Sequence, residues 1–120
     1  MSVQPYFQAA AAELRKAIAE RKHEIDQTKK EMAEREAAAR RYIDNLKRDQ
    51  QQKEMASGNS GIDNQQRIAL QQQAKQDLAE ITNQEQAIRN HRDYLQQQIA
   101  NLERDIMDLE RKANELQTRQ

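Results

Sequence analysis

Two heptad series, one on either side of the only glycines in the chain, constrain what this sequence can fold into more than any other feature. If residues whose numbers add to 120 face one another, Ala11 meets Leu109, Leu14 meets Ile106, Ile18 meets Leu102, Ile25 meets Leu95, Met32 meets Ile88 and Tyr42 meets Leu78. The mirror centre is Ser60, inside Ser57-Gly58-Asn59-Ser60-Gly61. With a positions at Ile18, Ile25, Met32, Ala39 and Leu46, and d positions at Ile81, Ile88, Leu95 and Leu102, each layer sets an a residue against a d residue, as antiparallel helices mesh. The polar layers agree with this register: Arg35 faces Glu85, and Arg92 faces the small Thr28. A pair such as Arg35 and Glu85 adds little net stability but penalises a slipped register.

The predicted fold is therefore all-α: two long helices forming an antiparallel coiled-coil hairpin, with self-association into a four-helix bundle as a further step. The rival is a parallel homodimer, because Ile99, Leu102, Ile106 and Leu109 place isoleucine at a and leucine at d, a pattern that suits parallel pairs. Such a dimer would stack Glu85 and Arg92 on their own copies, so the hairpin is preferred. One hairpin spans residues 1–120, with helix 1 at about 5–56, a loop at 57–61 and helix 2 at about 62–119. Pro5 suits a first helical turn. Gly58 can close helix 1 in the left-handed conformation, and Ser60-Gly61-Ile62-Asp63 fits a Ser-x-x-acid helix start.

Composition bears on what such a hairpin can do. Charged residues make up 33% of the chain and aromatic residues 3%, too few large apolar groups to enclose a thick core. Lys plus Arg and Asp plus Glu each total 20, so the formal net charge is zero. Residues 1–56 carry 12 basic and 10 acidic groups and residues 57–120 carry 8 and 10, a difference of +2 against −2. That is too weak to steer a highly charged partner. The basic doublets Arg15-Lys16, Arg21-Lys22, Lys29-Lys30, Arg40-Arg41 and Lys47-Arg48 are interrupted by glutamates, which suits intrahelical pairing rather than a nucleic-acid track. No apolar run approaches a membrane span and the N-terminus has no signal-peptide pattern, so a cytoplasmic protein with no membrane contact is expected. The absence of cysteine is compatible with that compartment.

The residues that carry chemistry elsewhere do not assemble here. His23 and His91 have no second histidine at metal-binding spacing. Acidic pairs such as Glu34 with Glu36 and Asp105 with Asp108 suit a solvated helix face, and two helices offer no cleft in which to perturb them. Asp63-Asn64 lacks the alternating oxygen ligands of a calcium loop. No catalytic residue, cofactor or metal is expected, and the chain is read as a non-enzyme.

What remains is protein–protein contact. Ile43, Met55, Ile62, Ile68 and Leu70 fall outside or beside the a/d seam, so the half nearest the loop should offer apolar surface to a second copy of the chain or to an unidentified protein partner. The short runs Gln50-Gln51-Gln52 and Gln71-Gln72-Gln73 flank that region. The expected function is a non-catalytic structural or adaptor protein that spaces or scaffolds partners. The alternative is a chaperone or secretion accessory that holds clients on the apolar patch, and the third reading is a nucleic-acid-binding rod. In outline the chain resembles prefoldin subunits and the coiled-coil stalk proteins of flagellar-type export. Prefoldin subunits, however, place β-hairpins between their helices, and nothing from Ser57 to Asn64 reads as a strand. A likeness of outline carries no function.

Overall fold

A computed structural model describes residues 4–118 and gives two helices, α1 (Gln4–Ser57, 54 residues) and α2 (Asn64–Thr118, 55 residues). Alanine, glutamine, glutamate and arginine recur through both elements, residues that lose little rotamer freedom in a helix. The single proline, Pro5, sits in the first turn of α1, where its missing N–H has no helical partner to lose. The all-α hairpin expected from the heptads is the fold observed. Arg119, the expected last residue of the second helix, lies outside the described residues.

The connection is built differently from the sequence expectation. Neither glycine takes a positive φ, so Gly58 is not a left-handed cap. The helix end tightens instead, with Gly58 N–H donating to the Met55 carbonyl and Asn59 N–H to the Ala56 carbonyl, each at 3.1 Å. The Asn59 side chain accepts the Gly61 N–H at 2.9 Å, a local turn of the kind asparagine favours. The cap of α2 is Asp63 rather than Ser60. Asp63 Oδ1 accepts the Gln66 N–H at 2.7 Å, and Gln66 Oε1 accepts the Asp63 N–H at 3.2 Å, a reciprocal capping box. Asp63 competes better than Ser60 because its carboxylate meets the positive end of the helix dipole. Arg67 then reaches back, donating from Nε to the Ser57 carbonyl at 3.0 Å and so covering one free carbonyl at the end of α1.

Packing divides the hairpin into two units, a terminal unit (up to Met32 and from Asp93 onward) and a loop unit (Ala33–Arg92). In the terminal unit α1 turns Ala11, Leu14, Ile18, Arg21, Ile25, Thr28 and Met32 inward, and α2 turns Leu95, Ile99, Leu102, Ile106, Leu109, Ala113 and Leu116. Ile25, Ile99 and Ile106 form its core, with Ile18 and Leu102 packed against them. Burying an isoleucine stabilises by about 1.5–3 kcal/mol, whereas an exposed ion pair contributes about 0–1 kcal/mol. This aliphatic cluster therefore outweighs the exposed ion pair between Arg21 and Asp105, whose nearest atoms are 3.9 Å apart.

The loop unit has a more polar seam. Here α1 turns Glu36, Ala39, Ile43, Leu46, Gln50, Lys53 and Ser57 inward, and α2 turns Arg67, Leu70, Ala74, Asp77, Ile81, Gln84, Ile88 and His91. One column of α1, from Ile18 through Ile25, Met32, Ala39 and Leu46, runs unbroken as expected. Its companions change side, however: they follow each column residue by three in the terminal unit and precede it by three in the loop unit. Ile25 to Glu36 is an eleven-residue step, matched on α2 by Ile88 to Ile99. A straight helix drifts about 20° per heptad from a strict seven-residue repeat, so after three heptads the next residue round the helix faces the partner. That slip corrects two expectations. Ile43 is buried at 4% exposure, whereas Tyr42 and Leu78, expected to meet in the seam, are 47% and 52% exposed.

The register is also corrected. Arg35 lies beside His91, Glu36 pairs with Arg92, and Lys53 pairs with Asp77 in the loop unit; Arg21 pairs with Asp105 in the terminal unit. The numbers of these partners add to 126–130, not 120, which is one heptad from the expected pairing and sets Ile25 opposite Leu102. Arg35 Nη1 is 3.4 Å from His91 Nε2, a position about 9 Å along α2 from Glu85. Arg92 pairs with Glu36 rather than facing Thr28, whose hydroxyl donates to the Glu24 carbonyl of its own helix at 2.8 Å.

Candidate protein-interaction surfaces

The five residues expected to form an apolar patch do not share one environment. Ile43 is part of the internal seam, Ile62 and Leu70 are half-buried, and only Met55 and Ile68 are exposed, at 79% and 48%. The eleven-residue step draws one of the five, Ile43, into the hairpin.

A shallow concavity of about 380 Å³ lies in the loop unit, above Ile43 and Ile88. Arg40, Lys47, Arg89 and Arg92 border it together with Asp44 and Glu85. Its cations are substantially answered. Glu36, half-buried in the seam, takes Arg40 Nη2 at 3.0 Å and also pairs with Arg92. Arg89 donates to Gln86 Oε1 at 2.9 Å. Deeper towards the loop, Lys53 Nζ donates to Asp77 Oδ2 at 2.7 Å across the seam. These bonds fix the local register and leave a surface of mixed sign.

A second concavity, of about 470 Å³, lies in the terminal unit between Tyr6, Ala10, Glu13 and Leu14 on α1 and Lys112, Glu115 and Leu116 on α2. Ala11 and Ala113 are buried beside it, and these small side chains leave Leu14 and Leu116 incompletely covered. The Tyr6 ring is mostly exposed and meets Phe7 edge-on, with ring centres 5.6 Å apart. Sequence reasoning missed this groove. Alanine at Ala10, Ala11 and Ala113 reads as weak seam, and only the packing shows that weak seam next to leucine makes a depression.

His91 contacts Arg35, and among the described residues no three His, Cys, Asp or Glu side chains converge on a point that would hold a metal ion. Among those residues, too, no helix is long and apolar enough to cross a membrane. Both surfaces set apolar side chains beside charged ones. No protein-family model, curated protein or solved structure matches this chain.

Proposed function

We propose that this chain is a non-catalytic, cytoplasmic hairpin that spaces or scaffolds protein partners. The observation that carries the reading is the thinness of the seam. Among the described residues no large side chain is fully enclosed, while Tyr6, Tyr42, Met55, Ile68, Leu78, Tyr94 and Met107 stay exposed along the flanks. A pair of helices with its own seam closed and large side chains left on its flanks has surface available to a third helix. The polar bonds of the loop unit support a fixed geometry, which a spacer requires.

Affinity capture of the tagged full chain from its native host, followed by crosslinking mass spectrometry, tests this. The expected result is one or a few stoichiometric partners whose crosslinks map to a defined face. Many substoichiometric clients, released together by Met55→Ser with Ile68→Ser, would favour the chaperone reading instead. Nucleic acid recovered in a strongly salt-dependent manner would favour the third.

A further inference from the structure

We propose that the concavity of the terminal unit is a docking groove for an amphipathic helix of a partner protein, one whose flanks carry lysine or arginine. The inference rests on reading the hairpin as an interaction module and names where, and to what, it would bind. The floor is apolar and low, formed by Ala10 and Leu14 on α1 and Leu116 on α2, with Tyr6 at one end. Ala17 continues it: two turns beyond Ala10, about 10.5 Å along the helix, it is half-buried on the same edge. Alanine at both positions lets a third backbone approach closely, and apolar residues spaced by seven on the incoming helix would fill the depressions.

The rim decides the occupant. Glu13 and Glu115 border the groove. Helical spacing places Glu20 and Glu24 on the same edge of α1, and Asp105 one heptad before Lys112 on α2. Among the described residues these carboxylates share the rim with the cations Lys112 and Arg21, the second lying 3.9 Å from Asp105. A basic-flanked helix complements such a rim, a second copy laid edge to edge would set carboxylate against carboxylate, and an anionic lipid surface would be repelled.

The test titrates the ¹⁵N-labelled full chain with two synthetic amphipathic helices of equal length, one of leucine and lysine, the other with glutamate in place of each lysine. At low salt the lysine peptide should bind at least about tenfold more tightly, shift the amides from Tyr6 to Ala17 and from Asp105 to Leu116, and weaken as salt rises. Ala10→Gln with Ala17→Gln keeps good helix formers but fills the floor. It should weaken binding by about tenfold or more with an unchanged far-ultraviolet circular dichroism spectrum. Glu13→Lys with Glu115→Lys alters exposed side chains only and should reverse the peptide preference. Equal affinity for the two peptides, shifts centred on the loop unit, or a glutamine variant that binds as tightly would overturn the proposal. So would a free protein that sediments as a dimer broken by the glutamine variant, since the groove would then belong to a second copy. Stoichiometric partners captured through the loop unit would leave the scaffold reading standing while this groove failed.

Discussion

Asp63 and Gln66 close the start of α2 by exchanging two bonds with each other's backbone, and Arg67 ties that start to the end of α1. Asp63→Ala should therefore cost about 1 kcal/mol in urea denaturation, while Ser60→Ala should leave the midpoint nearly unchanged. The glycines have room for a side chain: a Cβ on Gly58 would sit 3.5 Å from the Met55 carbonyl oxygen, an ordinary contact. Since Gly58 has no positive φ, Gly58→Ala should stabilise by about 0.5 kcal/mol through the unfolded state. A loss of about 1 kcal/mol would mean that Gly58 is left-handed after all. The polar layer gives a further residue-scale test. Glu36 and Arg92 are 24% and 39% exposed, so a double-mutant cycle should show only about 0.5 kcal/mol of coupling. The corresponding cycle for Arg35 and Glu85 should be additive.

At the scale of the helix, the eleven-residue step governs which side chains are inside. It preserves the column from Ile18 to Leu46 and moves the companion column, so neighbours in sequence exchange roles. Ile43→Ala should destabilise by about 2 kcal/mol, whereas Tyr42→Ala should cost under about 0.5 kcal/mol. An uninterrupted heptad series predicts the opposite order, and thermal melts of the two variants distinguish them. The step was hard to see because both alternatives at its first turn, Arg35 and Glu36, are charged. The adjacent Tyr42 and Ile43 are both compatible with a seam.

At the scale of the molecule, the one-heptad difference in register is open to direct measurement. Cysteines at Ile25 and Leu102 should form an intramolecular disulfide under mild oxidation at high dilution. The pair at Ile18 and Leu102 should not, because one heptad of displacement carries the two backbones beyond the Cα separation of about 7 Å that a disulfide tolerates. The reverse result would restore the register in which facing numbers add to 120. Intermolecular disulfides alone would point to a parallel dimer.

The sequence by itself determined the two helices, their antiparallel relation and the place of the turn, because these depend on local propensity, on sustained apolar periodicity and on the lone glycine-containing segment. The unbroken columns of the seam were legible for the same reason. Register was not, since sliding one helix by seven residues restores every a and d position. Tertiary structure decided it through contacts that periodicity cannot rank: Asp63 capping α2 three residues later than the serine expected there, Arg67 reaching the Ser57 carbonyl, and Glu36 meeting Arg92 across the seam. The interaction surface followed from that choice. The eleven-residue step withdrew Ile43 from the expected patch, while small alanines beside Leu14 and Leu116 opened a groove in the terminal unit. Exposure is a property of the packed pair of helices, and no single helix's pattern contains it.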